Sequence, residues 1–177
     1  YTTPHFTAWA CGDTTEKVNH TFTYTPVTGK EVHIVGCSGC TYTGPEEIPH
    51  EFTNGVCVCT AKAVAKVEAG GTATCYTALE TALGAAQSGS KVTLLASVEL
   101  TSEVTIPSYV TFNGGEFTVS GEDLLNNGII TGGTFTATVT NWTGDITGGT
   151  FDTISYVMGA VSGQISFKTL DINGFTP

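Results

Sequence analysis

The sequence predicts an all-β chain whose larger part is a parallel β-solenoid, capped by a short helix and preceded by a small Cys/His-rich module. The main observation is a phrase of two glycines followed two residues later by phenylalanine, which occurs three times, at 114–117, 132–135 and 148–151. Apolar and polar residues alternate between these phrases. Five of the six cysteines and all four histidines lie within the first 59 residues.

The spacing of the glycine pairs gives the solenoid its predicted period. Gly114 and Gly132 are 18 residues apart, and Gly132 and Gly148 are 16 apart. At about 3.3 Å per residue, such a coil divides into three short strands with glycines at the corners, where a Cβ would clash. The phenylalanines of the three phrases are then expected to stack as an internal column of Phe117, Phe135 and Phe151. A β-sandwich of antiparallel hairpins is the alternative, since short alternating strands with glycine turns also describe it.

A helix is predicted near residues 77–87, directly before the first coil. Thr77 and Glu80 have the spacing of a capping box, and Gly89 stands where a left-handed helix end is expected. The apolar face of this helix would cover the first coil and block strand pairing at its edge. The cysteine distribution places the domain boundary near residue 65, which gives a Cys/His-rich module at 1–65 and a β-helix domain at 66–177.

Charge and composition exclude several classes of partner. The chain has no arginine, six lysines and sixteen acidic residues, for a net charge of -10. Nucleic acid and anionic membranes need clustered cations, so neither is an expected partner. No apolar run reaches the roughly 18 residues of a membrane span. A threonine-rich, lysine-poor and acidic composition favours an extracellular location, on the cell surface or associated with the cell wall.

The first module contains cysteines and histidines at a spacing that suits the binding of a metal ion. Cys37-Ser38-Gly39-Cys40 offers two thiolates to one ion, and His33 and His50 can complete a tetrahedral shell for structural zinc. Cys57 and Cys59 are the alternate ligands. Disulfides among the same cysteines are the competing interpretation, because an even number of cysteines in an extracellular protein usually indicates them.

The residues from His33 to Cys57 resemble the Cys/His repeats of large cell-surface proteins of gut-dwelling Gram-positive anaerobes. The stretch Cys75–Leu83, followed by Lys91–Leu95 and Val104–Pro107, is similar to the opening of the pectate-lyase-like repeats in those proteins. The resemblance implies a surface-exposed, right-handed parallel β-helix behind a zinc-binding module. Cys57-Val58-Cys59 is one residue shorter than the usual CxxC of such repeats, which favours the ligand set His33, Cys37, Cys40 and His50.

These observations together predict a non-catalytic structural or adhesion module for contact with a host glycan or protein. Trp142 and Tyr156 are the candidate ligand-binding aromatics. A polysaccharide lyase or hydrolase of β-helix type is the alternative, in which Asp145 and Asp152 would meet across neighbouring coils. We also expect the C-terminal end of the solenoid to be covered, either by further chain or by a partner copy, since an open end exposes unpaired strand groups.

Overall fold

The structure is a computed structural model in which residues 21–38, 46–155 and 158–171 are described. The chain divides into two compact units, Tyr1–Ala61 and Lys62–Pro177. The sequence-predicted boundary lies slightly later, after residue 65.

The first unit contains two small antiparallel sheets. The first has the strand order β1-β2-β3, and the second is a hairpin of β4 and β5. Their bounds are β1 (Thr21–Pro26), β2 (Val32–Ser38), β3 (Glu46–Pro49), β4 (Phe52–Thr53) and β5 (Val56–Cys57). The only apolar side chains buried among the described residues of this unit are Val35, Cys57 and Cys59. So small a core needs additional crosslinks for stability.

The second unit opens with a hairpin and a helix. Strands β6 (Ala65–Ala69) and β7 (Thr72–Tyr76) pair antiparallel across Gly70 and Gly71, whose φ angles of 57° and 82° suit a two-residue hairpin turn. Helix α1 (Leu79–Ala85) follows and packs against β6, β7 and the first coil.

The ends of the helix differ from the prediction. The N-cap residue is Ala78, whose side chain makes no capping hydrogen bond, so the helix begins later than a cap at Thr77 implies. Gly89 has a positive φ of 79°, but the helix already ends at Ala85 with an extended Ala86 as its C-cap. Leu79, Ala82 and Leu83 are buried, and tertiary packing therefore fixes this seven-residue helix rather than its end signals.

The remaining strands form the predicted parallel solenoid, which makes about five turns. Each complete coil has three faces, and strands on one face pair in parallel with those of the next coil. The strands are β8 (Lys91–Leu94), β9 (Val98–Leu100), β10 (Val104–Ile106), β11 (Thr111–Asn113), β12 (Thr118–Gly121), β13 (Leu124–Asn126), β14 (Ile129–Ile130), β15 (Thr134–Asn141), β16 (Asp145–Ser155) and β17 (Val161–Asp171). The right-handed sense of the coil stays a prediction.

Three columns of stacked side chains, one beneath each face, run through the core and end in residues that are partly exposed. Strand register places each column residue directly on its equivalent in the next coil. The columns are Val92, Phe112, Ile130, Ile146 and Val161; Val98, Val119, Phe135, Phe151 and Phe167; and Val104, Leu124, Val139, Ile154 and Leu170. The rings of Phe135 and Phe151 are stacked, with centroids 4.7 Å apart and planes 3° from parallel.

Phe117 does not belong to the phenylalanine column, contrary to the prediction. Val119 is the residue in register with Phe135, and Phe117 only packs partly buried against the core. The cause is the longer first spacing, since the two additional residues between Gly114 and Gly132 shift the first phrase relative to the strands. Matching residues of the repeated phrases therefore do not all occupy matching positions in the coils.

One corner of the solenoid is fixed by small residues and a buried amide pair. A Cβ on Gly144 would overlap the carbonyl oxygen of Gly128 in the preceding coil. Beside this corner, the fully buried Asn126 donates from Nδ2 to Oδ1 of Asn141 at 2.8 Å and accepts from the backbone N–H of Gly128 at 3.1 Å. The hydrogen bonds of Asn126 hold the bend at a fixed place, whereas Nδ2 of Asn141 is buried without a hydrogen-bond partner among the described residues.

The corner geometry predicts opposite effects for two glycine-to-alanine substitutions. Gly144→Ala is expected to lower the free energy of unfolding by roughly 1–3 kcal/mol, because the added methyl group meets backbone that cannot move away. Gly84→Ala, on the open side of α1, is expected to raise it by up to about 1 kcal/mol through helix propensity. Urea denaturation followed by circular dichroism measures both. Equal effects of the two variants would contradict this account of the corner.

Candidate metal site

Four side chains of the first unit bring metal-ligating atoms together. One donor atom from each of His33, His50, Cys57 and Cys59 lies within 4.8 Å of all the others. Sγ of Cys57 is 3.7 Å from Nδ1 of His33, and Sγ of Cys59 is 3.4 Å from Nδ1 of His50. His33 and both cysteines are buried, whereas His50 is half-buried. We call these four residues the His2Cys2 cluster.

The two histidines are positioned by the three-stranded sheet. His33 lies on the central strand β2, between Pro26 on β1 and Ile48 on β3. His50 follows β3 directly, and its backbone N–H donates to the carbonyl oxygen of Glu31 at 3.0 Å. This hydrogen bond continues the β2–β3 pairing by one residue and sets His50 beside His33.

The two cysteines are positioned by the hairpin and a tight turn after it. Asn54 and Gly55 both have positive φ, 53° and 79°, as the two-residue turn between β4 and β5 requires. Beyond it, the N–H of Thr60 donates to the carbonyl oxygen of Cys57 at 2.9 Å. The N–H of Cys57 donates to the carbonyl oxygen of Ala61, also at 2.9 Å. These bonds fold the chain around the two thiols.

The turn after β5 explains how a CxC pair can serve one site. Cys57 and Cys59 are 3% and 2% exposed, and Val58 between them is 61% exposed. Val58 and Cys59 are the central residues of the turn that the Thr60–Cys57 hydrogen bond closes. In this turn both thiols lie on the inner side while Val58 lies outside.

A row of aromatic rings orients the imidazoles. The rings of His33 and His50 stack with centroids 5.5 Å apart at an angle of 25°. Tyr24 contacts His33 edge to face at 5.7 Å, and Phe52 packs against His50 at 5.7 Å. Rings fixed on both sides reduce the rotational freedom that a ligand would lose on binding an ion.

The electrostatics of the cluster disfavour charge in the absence of a cation. Burial, followed by the neighbouring His50, lowers the pKa of His33, so its imidazole is neutral at pH 7 and keeps a lone pair for coordination. Burial raises the pKa of Cys59, and the adjacent Cys57 adds to this increase. Two buried thiolates side by side need a cation to stabilise them.

The donor set fits a divalent ion in tetrahedral coordination. With zinc–sulfur bonds of about 2.3 Å and zinc–nitrogen bonds of about 2.0–2.1 Å, neighbouring donors lie roughly 3.3–3.8 Å apart. The two measured sulfur–nitrogen distances fall within this range. Two thiolates would also neutralise the double charge of the ion, as a buried site requires. The cluster could therefore bind a metal.

The cluster contains two of the four ligands that the sequence favours, together with both alternate ligands. His33 and His50 lie together as predicted, and the cysteines beside them are Cys57 and Cys59. Cys40 lies outside the described residues, and for Cys37 only the backbone of β2 is described, so their part in a metal site stays a prediction. Among the described cysteines, Cys57, Cys59 and Cys75 are free thiols, with no disulfide between them.

The predicted site residues of the solenoid lie apart from one another. Trp142 is 46% exposed and follows β15, whereas Tyr156 lies outside the described residues. Asp145 and Asp152 are both on β16 and so belong to one coil, not to neighbouring coils as predicted. Oδ1 of Asp145 accepts from the N–H of Ala160 at 3.1 Å, and Asp152 forms an ion pair with Lys168 at 2.8 Å. Both carboxylates thus have structural partners.

The glycine phrases also form an open trough along the outside of the stack, with a volume of about 640 Å³. Its floor is backbone, including that of Gly133 and Gly149. In-register hydroxyls of Thr134, Thr150 and Ser166 line one side. The trough is therefore polar and shallow, and sequence analysis did not anticipate it.

Comparison with known proteins found no matching family model, no matching curated protein and no matching solved structure. A search of the described residues found no helix with the length and apolar character needed to cross a membrane.

Substitution of the cysteines separates the two ligand sets. Cys57→Ser and His33→Ala are expected to lose bound metal, because each removes one of the four converging donors. Cys40→Ser is the matched control and is expected to keep the metal. Metal content per chain, measured by elemental analysis after gel filtration, reports the result. Loss of metal in Cys40→Ser with retention in Cys57→Ser would show that His33, Cys37, Cys40 and His50 hold the ion.

Proposed function

We propose that the chain is a non-catalytic structural or adhesion module of a cell surface, in which a zinc-stabilised unit precedes a β-solenoid that contacts a host glycan or protein. The observation that supports this most is the closed His2Cys2 cluster. Catalytic zinc sites keep one position for water, whereas a four-donor protein shell leaves none. The metal chemistry of such a site therefore serves folding.

Zinc is the ion that this donor set favours. Two thiolates and two imidazoles are typical of structural zinc sites, and zinc has no geometric preference that would oppose a tetrahedral arrangement. A bound zinc ion would crosslink the sheet through His33 and His50 to the hairpin through Cys57 and Cys59. The free energy of binding would then add directly to the stability of a unit whose described core is small.

The outer surface of the solenoid supports a role in contact rather than in chemistry. Strand hydroxyls in register along neighbouring coils offer repeated hydrogen-bond partners, and the exposed Trp142 offers an aromatic face. The resemblance to surface proteins with Cys/His repeats and β-helix repeats supports the same proposal and an extracellular location.

The enzymatic alternative lacks a supporting constellation among the described residues. A glycosidase needs two carboxylates on either side of the scissile bond, and a polysaccharide lyase needs a base beside a group that neutralises uronate. Asp145 is bonded to backbone and Asp152 to Lys168, so neither carboxylate is poised for such a role.

Chelation is expected to unfold the first unit selectively. Elemental analysis should find about one zinc per chain, and its removal should expose the first unit to protease while residues 62–177 stay resistant, because the solenoid core contains none of the four ligands. Limited proteolysis with mass spectrometry, before and after treatment with a zinc chelator, measures this. Thiol counting provides the control, since a zinc site yields reactive thiols after chelation and disulfides do not. A chain with neither metal nor free thiols would refute the zinc site.

Glycan-array binding tests the adhesion role. A signal is expected that falls at least tenfold in Trp142→Ala, because a lost aromatic anchor commonly costs that much. Tyr109→Ala is the matched control, since Tyr109 is 47% exposed and Trp142 is 46% exposed. Silence across glycans and matrix proteins would leave a passive stalk as the function. Depolymerisation of any polysaccharide in the panel would establish the enzyme alternative.

A further inference from the structure

Cys57 and Cys59 are two thiols separated by a single residue. Both lie on the inner side of one turn, and their sulfur atoms are within 4.8 Å of each other. Neither forms a disulfide with another described cysteine. The α-carbons of residues two apart are at most about 7 Å apart and come closer in a turn, while a disulfide joins α-carbons about 4.4–6.8 Å apart. The backbone of this turn therefore permits a disulfide between the two sulfurs.

From this geometry we infer that the Cys57–Cys59 pair is an oxidation site, at which a peroxide converts the two metal-bound thiolates into a disulfide and releases the ion. The inference rests on the zinc site of the proposed function and adds a covalent modification to it. Because the same two sulfurs serve either the ion or the disulfide, oxidation removes the crosslink between the sheet and the hairpin. The first unit is then opened by an oxidant while the solenoid keeps its core.

The reaction is a two-electron oxidation of the pair. One thiolate sulfur attacks an oxygen of hydrogen peroxide, the O–O bond breaks, and a sulfenic acid forms while the leaving hydroxide is protonated to water. The second thiolate attacks the sulfur of the sulfenic acid, the S–O bond breaks, and a second hydroxide leaves and is protonated. Two thiolates, one peroxide and two protons thus give one disulfide and two waters. The disulfide has no anionic sulfur, so the ion keeps only the two imidazoles and dissociates.

His50 marks the side from which an oxidant reaches the pair. His33, Cys57 and Cys59 are 4%, 3% and 2% exposed, whereas His50 is half-buried. His50 follows the end of β3, while His33 lies on the central strand of its sheet. Nδ1 of His50 is 3.4 Å from Sγ of Cys59. A small oxidant that enters beside His50 therefore meets Cys59 first, and Cys57 is the sulfur that closes the disulfide.

The shortness of the loop makes the disulfide reversible. A disulfide between residues two apart closes a very short loop, so it gains little from restricting the unfolded chain. Thr60 beside the pair has a φ of 70°, which a β-branched residue rarely adopts, so the turn is already strained. Disulfides under strain are readily reduced by thiols. The reduced, metal-bound form is therefore the resting state, and a thiol reductant returns the oxidised pair to it.

Treatment of the zinc-loaded, full-length chain with hydrogen peroxide tests the inference. About one zinc ion should be released for each disulfide formed, as followed with a colorimetric zinc indicator. Mass spectrometry of peptides prepared without reductant should find Cys57 and Cys59 joined, in a peptide lighter by two hydrogen atoms than the reduced one. A thiol reductant with added zinc should restore both the thiols and the bound ion.

Cys75→Ser is the matched control and should release zinc at the rate of the unaltered protein, because Cys75 lies in the second unit. Three results would each overturn the inference while leaving the zinc site in place. These are retention of zinc under peroxide, release with only sulfinic or sulfonic acid at the pair, and a disulfide from the pair to another cysteine. A chain that holds no zinc before treatment would refute the zinc site and the inference together.

Discussion

The structure of the second unit depends on one constraint, the in-register stacking of parallel coils. Each residue lies on its equivalent in the next coil, so inward positions form columns of like residues, as in the apolar column from Val104 to Leu170 and in the buried pair of Asn126 and Asn141. Corners follow the same rule, because a Cβ on Gly144 would overlap the carbonyl oxygen of Gly128, and a Cβ on Gly128 would overlap those of Pro107 and Val110. Apolar burial, which stabilises the stack by roughly 25 cal/mol per Å², is thus distributed along its length.

The first unit relies on a different source of stability. Its described strands are short and bury few apolar side chains, and the four converging donors occupy the place where a larger domain would have its core. The aromatic row from Tyr24 to Phe52 fixes the ring positions at some cost in side-chain entropy, and ligation of an ion would recover that cost. The two units therefore fold for separate physical reasons.

The solenoid could be predicted from the sequence because glycine pairs recur with its period. Steric contact between coils, rather than secondary-structure propensity, fixes the positions of these glycines. The sequence did not align Phe117, because the register depends on where the two additional residues of the first coil are accommodated. CxxC spacing is typical of a metal knuckle, so it favours Cys37 and Cys40 over Cys57 and Cys59. The turn after Cys57, which places both thiols inward and leaves Val58 exposed between them, is not indicated by the spacing alone.

The antiparallel strand β6 gives the solenoid a fixed origin. Because β6 runs opposite to β8, no coil can be added in front of the first one without removing the hairpin. Internal coils such as those that begin at Gly132 and Gly148 instead present the same pair of surfaces above and below. Duplication or loss of a 16-residue segment there would change the length of the protein while leaving its cap intact. Variants of this protein are therefore expected to differ in length by whole coils, so the number of repeats in the gene sets the length of the solenoid.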